Sequence, residues 1–189
     1  WIYMSYCTYC SDVNAKKIHK NYHDNHHGFP IDEDNELFGR LLLEINQAGL
    51  SWETILSKEE NFRCAYSRFE IEQVANYKQS DIDRLLKDSG IIRNKLKVNA
   101  TISNAQAFIK IQEEFGSFSK YLWAFVDNKP IKNKLKNSKD APANTLISKT
   151  LSKDLKKRGF KFVGSTVVYA HMQATGMIND HVMNCFTRK

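Results

Sequence analysis

One stretch, residues 37–48, limits the fold more than any other part of this 189-residue chain. It reads LFGRLLLEINQA, and its large apolar residues are spread around nearly the whole circumference of a helix with 3.6 residues per turn. A helix that is apolar on almost every side belongs in the interior of a protein. The stretch therefore predicts a central helix that other elements surround.

A single carboxylate, Glu44, stands inside this apolar run. On a helix it shares one stripe with Leu37, Leu41 and Ala48, so it is predicted to be buried. A buried carboxylate is costly unless a partner satisfies it. The sequence leaves two interpretations open, because the partner is either a group of the protein, such as a fixed arginine, a lysine or a helix N-terminus, or a bound ligand.

The remainder of the chain also has the pattern of helices. Only three prolines and eight glycines interrupt it, and strand-like alternation is scarce. Ser57 with Glu60 is predicted to form a capping box, and Ser80 is predicted to cap a helix. Residues 128–146 are predicted to form an exposed loop. The predicted helices are 36–49, 57–69, 80–89, 94–115, 120–126, 146–159 and 165–176. We predict an all-α fold in one domain, residues 1–189.

The net charge and the number of cysteines limit the classes of protein to which the chain can belong. The formal net charge of +7 is compatible with a polyanionic partner, although the lysines of 132–139 and 152–162 equally suit a solvated face. No apolar run reaches the length of a membrane span, and no signal-peptide pattern is visible. Four cysteines in such a chain favour thiols or metal ligands over disulfides, and Cys64 is expected to be buried. We expect a cytoplasmic protein without a membrane partner.

Cysteine and histidine residues near both ends suggest a metal site. His181 and Cys185 would lie one turn apart on a helix, and Cys7, Cys10 and His23 stand near the other end. A structural zinc site takes four nitrogen or sulfur ligands. Cys10, His23, His181 and Cys185 would join the two ends of the chain, but Cys7 and Cys10 could instead both bind and exclude His23. The spacing alone does not decide between these sets.

A helical hairpin at about residues 81–100 suggests a phosphate contact. The sequence LLKDSGIIRNKLK places Gly90 at a tight turn, with Arg93 and Lys95 beside the start of the next helix. Exposed backbone N–H groups at such a turn bind anions, and contacts of this kind hold DNA without reading its sequence. A plain helix–turn–helix connection is the alternative from this stretch alone.

Six stretches of the chain, taken together, carry a family resemblance. They are YHDNHHGFP, LEINQAGLSW, ENFR, DSGIIRNK, LKKRGFKFVGSTVVY and MQATGMINDHVMNC, and they run in this order between Cys10 and Cys185. The chain resembles the 3-methyladenine DNA glycosylase I family of the helix-hairpin-helix glycosylase superfamily. The resemblance implies that superfamily's all-α fold, with the termini joined at one structural zinc ion held by Cys10, His23, His181 and Cys185.

The resemblance also implies roles for residues of a base-binding pocket. Glu44 is similar to the carboxylate that holds the flipped-out methylated adenine, Trp52 to the residue that stacks on it, and Tyr22 to a pocket hydroxyl. His27 takes the place of a pocket-lining tryptophan, and a second family tryptophan is replaced by Asp12. The residues implied to contact DNA are Gln47, Gly49, Leu50, Gly90, Arg93 and Lys95.

The activity that the resemblance implies is hydrolysis of the N-glycosidic bond of 3-methyladenine, the first step of base excision repair. We expect a monofunctional, monomeric bacterial enzyme that acts on double-stranded alkylated DNA in the cytoplasm and needs no protein partner. Rotation of a base out of the duplex costs free energy, which stacking on an aromatic side chain and a wedge inserted in the duplex offset. The altered residue at His27 keeps two alternatives open: a zinc-stabilised DNA-binding module without activity, and a glycosylase with a shifted lesion range.

Overall fold

The computed structural model describes residues 6–137 and 140–188. Within them the chain is mostly helical, with one short 3-10 helix, Ser67–Phe69, and one two-stranded sheet. The helices are α1 (Tyr6–Ser11), α2 (Lys17–Asn25), α3 (Asp34–Gln47), α4 (Trp52–Ser57), α5 (Glu59–Ala65), α6 (Ile71–Ala75), α7 (Gln79–Lys87), α8 (Lys95–Phe115), α9 (Phe118–Ala124), α10 (Leu146–Lys157) and α11 (Ser165–Ala174), and the strands are β1 (Ile131–Lys132) and β2 (Ile178–Asn179).

Helix α3 is the centre of the fold, as its apolar pattern predicted. Residues 37–46 are all buried, and the helix packs against α4, α5, α8, α9 and α11. Phe38 of α3 meets the ring of Phe108 at a centroid distance of 5.3 Å, and Phe108 stacks on Phe118 at 3.7 Å. Glu44 is therefore held on the part of α3 that neighbouring helices bury.

A glycine in the middle of α3 allows close packing of the 3-10 helix. A Cβ atom at Gly39 would lie 2.2 Å from Cδ2 of Phe69, so no side chain fits between the helix and that ring. Phe69 ends a run of three residues with φ between 51° and 66°, which turns its ring inward. Glycine at position 39 lowers the helix propensity of α3, but it allows the Phe69 ring to pack directly against the helix.

The predicted helix ends are correct where glycine terminates a helix and wrong where serine was assigned as a cap. Gly116 follows α8 with φ at 85°, and Gly159 follows α10 with φ at 95°. The predicted capping box at Ser57 does not form, because α4 continues to Ser57 and α5 begins only after Lys58. Ser80 lies inside α7, whose N-cap is Lys78.

The structure differs from two other expectations, wholly for Cys64 and in part for the predicted loop. Cys64 is exposed rather than buried, because α5 turns it away from the core. The described residues of the range 128–146 are mostly irregular, but they contain β1, which pairs in parallel with β2 through Ile131 opposite Ile178. Each described helix falls short of a membrane span in length, in apolar character or in both.

Candidate active site

A cavity of about 830 Å³ opens beside the C-terminal half of α3. Its walls are mostly aromatic, and they come from α1, α2, the α3–α4 connection and α11. A concave, mainly apolar site with a few polar groups is the usual form of a small-molecule pocket. The lining residues are Tyr6, Tyr9, His19, Tyr22, His27, Glu44, Gln47, Leu50, Ser51, Trp52, Glu53, Ala170 and Gln173.

Glu44 reaches this cavity and is 7% exposed. Burial raises the pKa of its carboxyl group to about 8, and the positive charge of Arg40, one turn earlier on α3, offsets part of that effect. No described residue donates a hydrogen bond to the carboxylate or pairs with it. Of the two interpretations left open by the sequence, the geometry favours a ligand as its partner.

Arg40 is held beneath the cavity rather than in it. It is 5% exposed, and its guanidinium lies 5.7 Å from the centre of the Tyr22 ring. Its Nη1 is 3.7 Å from Oε1 of Glu59, and its Nη2 is 3.5 Å from Nδ1 of His26. The guanidinium therefore influences Glu44 through space, and its Nε and Nη1 atoms have no hydrogen-bond partner among the described residues.

Three predicted base-binding residues meet in the wall of the cavity. The rings of Tyr22 and Trp52 stand 5.3 Å apart at 65°, and those of Tyr22 and His27 are 5.8 Å apart. Burial lowers the pKa of His27 to about 3, so its imidazole is neutral at physiological pH. An aromatic wall without added positive charge suits a flat cationic ligand.

The connection between α3 and α4 forms the rim of the cavity. Gly49 adopts φ at 83°, a conformation that favours glycine. Leu50 is 39% exposed at the rim, and the Gln47 side-chain amide donates to its carbonyl oxygen at 3.1 Å. Ser51 caps α4 by accepting from the N–H of Thr54 at 3.2 Å. This cap places Trp52 at the first position of α4, facing the cavity.

Several lining residues were not predicted from the sequence. Tyr6 and Tyr9 of α1 are three residues apart on one face, and the hydroxyl of Tyr6 lies 3.1 Å from Nδ1 of His19. Ala170 and Gln173 of α11 close the opposite side. The spacing of the two tyrosines in the sequence is the signal that could have indicated their role, since it places both on one face of a helix.

The hairpin between α7 and α8 lies away from the cavity. None of Gly90, Arg93 and Lys95 lines it, and the last two are exposed. The N–H of Gly90 donates to Oδ1 of Asp88 at 2.7 Å, so that turn amide is already engaged. The pair α10 and α11, joined across Gly159, forms a second helical hairpin, and this one does supply cavity residues.

Cysteine and histidine side chains cluster between α1, α2 and the segment after β2. The ligand atoms of Cys7, His23, His181 and Cys185 all lie within 4.8 Å of one another. Sγ of Cys7 is 3.3 Å from Nδ1 of His181, and Sγ of Cys185 is 3.5 Å from Nε2 of His23. Two sulfur and two imidazole donors are the types of ligand that a structural zinc site takes.

The second nitrogen of each histidine has an oxygen partner that orients the ring. Nδ1 of His23 lies 2.7 Å from Oδ1 of Asp24, and Nε2 of His181 lies 2.8 Å from the carbonyl oxygen of His27. Metal-binding histidines are held in this way, with one nitrogen free for the ion. The donor set and its supporting contacts therefore fit a zinc ion.

The cluster differs from the predicted ligand set at one position. Sγ of Cys10 lies 3.5 Å from the carbonyl oxygen of His19, outside the cluster, and Cys7 takes its place. The two cysteines lie nearly one helical turn apart on α1, and it is Sγ of Cys7 that lies within 4.8 Å of the other three ligand atoms. His181 and Cys185 lie in a turn after β2 rather than on a helix.

Comparisons with known proteins agree along the length of the chain. Residues 12–188 match the methyladenine glycosylase family model. The chain is 42% identical to DNA-3-methyladenine glycosylase 1 of Escherichia coli (93% of this chain, 94% of that protein) and 40% identical to DNA-3-methyladenine glycosylase of Haemophilus influenzae (94% and 96%). A structure on 3-methyladenine recognition by 3-methyladenine DNA glycosylase I from Staphylococcus aureus superposes with a TM-score of 0.91 at 37% identity (95% of this chain, 96% of that chain).

Proposed function

The chain belongs to the methyladenine glycosylase family and is a DNA-3-methyladenine glycosylase, and on this premise we propose how its residues act. It hydrolyses the N-glycosidic bond of 3-methyladenine in alkylated DNA. The observation that carries the proposed roles is Glu44, a buried carboxylate without a protein partner at an aromatic cavity. The base enters this cavity after rotation out of the duplex.

Glu44 selects the damaged base by charge. 3-Methyladenine is cationic while it is attached to the sugar, whereas adenine is neutral. A cation in the cavity favours the ionised form of Glu44 and forms an ion pair with it. The carboxylate also accepts a hydrogen bond from the exocyclic amine. Neutral adenine provides no such compensation, so the carboxyl group, whose pKa is about 8 in the empty cavity, stays mostly protonated beside it.

The aromatic wall and the rim offset the cost of extracting the base. Trp52 stacks on the base, Tyr22 and His27 line its edge, and Leu50 with Gly49 fills the gap left in the duplex. Stacking on an aromatic side chain contributes roughly 1–3 kcal/mol per base. Gln47 holds the carbonyl group of Leu50 and so supports the rim.

Water attacks C1′ of the deoxyribose while the base leaves. The cationic base is already a good leaving group, so stabilisation of its charge by Glu44 is the main contribution of the protein. No lysine is found among the described residues that line the cavity, which supports a monofunctional enzyme without a Schiff-base intermediate. Arg93, Lys95 and the turn at Gly90 contact the backbone of double-stranded DNA. The enzyme acts as a monomer in the bacterial cytoplasm, without a protein partner.

One structural zinc ion is held by Cys7, His23, His181 and Cys185. A metal in this cluster supplies a cross-link between α1, α2 and the segment after β2, and it takes no part in the reaction. The role would be structural because four protein ligands leave no open position for a reactant. His23 directly follows Tyr22 in the cavity wall, and Nε2 of His181 lies 2.8 Å from the carbonyl oxygen of His27. Holding these ligands fixes the wall.

Base release from methylated DNA tests the role of Glu44. DNA treated with a methylating agent is incubated with wild type, Glu44→Gln and the control Glu113→Gln, which changes an exposed glutamate on α8. We expect 3-methyladenine release by wild type and control, and a loss of at least about 100-fold in Glu44→Gln, the scale of one strong charged contact. Equal release by all three proteins would make Glu44 a structural acid.

Two serine substitutions test the ligand set. We expect Cys7→Ser to lose bound zinc on gel filtration with a weak chelator, and Cys10→Ser to retain one equivalent, because only Cys7 reaches the histidines. Atomic absorption measures the metal content. The opposite result would assign the fourth ligand to Cys10, and zinc-free wild type that unfolds at the same temperature would contradict the proposed site.

A further inference from the structure

Lys97 connects α8 to the end of α3. It is 7% exposed, and its ammonium group donates to the carbonyl oxygens of Asn46 at 3.0 Å and Ala48 at 2.9 Å. These carbonyl groups belong to the last turn of α3, where the helix leaves its C=O groups without internal partners. Lys97 therefore caps α3 from a different part of the chain.

Apart from these two hydrogen bonds, the surroundings of Lys97 disfavour its positive charge. It stands in the first turn of α8, where the helix dipole disfavours a positive charge, and burial lowers the pKa of its amine. No described acidic side chain pairs with it, and its ammonium group donates to the two carbonyl groups alone among the described residues. Because a buried amine at this position lowers the stability of the protein, we expect its hydrogen bonds to serve a function at the groups that accept them.

The donors point at the rim of the cavity. Ala48 begins the turn that continues through Gly49 to Leu50, and the side-chain amide of Gln47 holds the other side of that turn. From these contacts we propose that Lys97 is a positioning residue that fixes the rim, so that Leu50 is ready to enter the duplex when the base leaves it. The inference rests on the proposed function of Leu50 as a wedge.

Lys97 also joins two elements that were assigned to DNA contact separately. It lies two residues after Lys95 and follows the turn at Gly90, so the α7–α8 hairpin and the rim are fastened together by one side chain. Binding of the DNA backbone at the hairpin thereby sets the position of Leu50 relative to the duplex. If the rim were free to move, the position of Leu50 relative to the duplex would no longer be fixed, although the cavity itself would be unchanged.

The test compares a base that must be taken out of a base pair with one that is unpaired. A methylated adenine tract is paired either with a thymine tract or with a non-complementary cytosine tract, and kcat/KM for base release is measured for wild type, Lys97→Met, Lys97→Arg and the control Lys110→Met. Lys110 is an exposed residue on α8. We expect Lys97→Met to lose about 10-fold or more on the paired tract and under about 3-fold on the unpaired one, with partial recovery in Lys97→Arg. Affinity for free 3-methyladenine should not change.

A double-mutant cycle with Leu50→Ala shows whether the two residues act together. If Lys97 acts through Leu50, then Lys97→Met changes the paired-tract rate by less than about 2-fold in the Leu50→Ala background. Multiplicative effects, or equal losses on paired and unpaired tracts, would overturn the inference while leaving the glycosylase activity of wild type intact. Circular dichroism at the assay temperature identifies a variant that is unfolded, and Lys97→Gln, which keeps an uncharged NH2 donor group, then replaces Lys97→Met in the same comparison.

Discussion

Replacement of Glu44 by glutamine should make the protein more stable, and the gain should grow with pH. The pKa of the carboxyl group is about 8 in the folded protein, against an ordinary value of 4.5. Between these two pH values the folded state keeps a proton that the unfolded chain has released. Wild type therefore loses stability as pH rises through this window, and glutamine, which does not titrate, does not.

The size of the effect follows from the same two values. The full difference corresponds to about 5 kcal/mol, because one pKa unit is about 1.4 kcal/mol. At pH 5 the penalty carried by Glu44 is about 1 kcal/mol, and at pH 7 it is about 3 kcal/mol. The free energy of unfolding of Glu44→Gln, relative to wild type, should therefore rise by about 2–3 kcal/mol between these pH values.

Urea denaturation followed by circular dichroism measures this difference at pH 5, 6, 7 and 8. Glu113→Gln, which removes an exposed carboxylate from α8, controls for the change in net charge. A difference between wild type and Glu44→Gln that stays constant across this range would refute the reasoning. It would mean that Glu44 is ionised in the empty cavity at pH 5 and has a partner within the protein.

Three other substitutions test packing, capping and stacking. Gly39→Ala should lower stability by about 1–3 kcal/mol in thermal unfolding, because the added methyl group meets the Phe69 ring. Asp34→Ala should cost about 1–2 kcal/mol in urea, since this carboxylate accepts from two backbone N–H groups at the start of α9; an unchanged midpoint would contradict that role. Trp52→Ala should weaken calorimetric binding of free 3-methyladenine about 10-fold or more while leaving the fold intact.

The features that were predictable from the sequence are those encoded locally. The apolar periodicity around Leu41 was enough to identify a buried central helix, because no other environment accepts such a surface. Gly116 and Gly159 ended helices as predicted, since the required backbone conformation favours glycine itself. Ser57 failed as a cap because α4 continues through it, and nothing in its immediate sequence distinguishes a cap from a last helical residue.

The features that were missed depend on distant parts of the chain. Whether Cys7 or Cys10 faces the histidines is set by how α1 rests on α2, and spacing along the chain carries no such information. Gln173 reaches the cavity only because α11 packs against α3. Lys97 looked like one more basic residue of a hairpin, and its two carbonyl partners lie about fifty positions earlier in the chain.

The cysteine–histidine cluster has a consequence for the order in which the enzyme matures. Two of its four members, His181 and Cys185, follow α11 and are synthesised after every helix of the fold. The wall that contains Tyr22 and His27 is held by these late residues, through His23 and through the carbonyl group of His27. The described helices can thus pack together before these contacts form, and the pocket wall is complete only once the segment beyond α11 is in place.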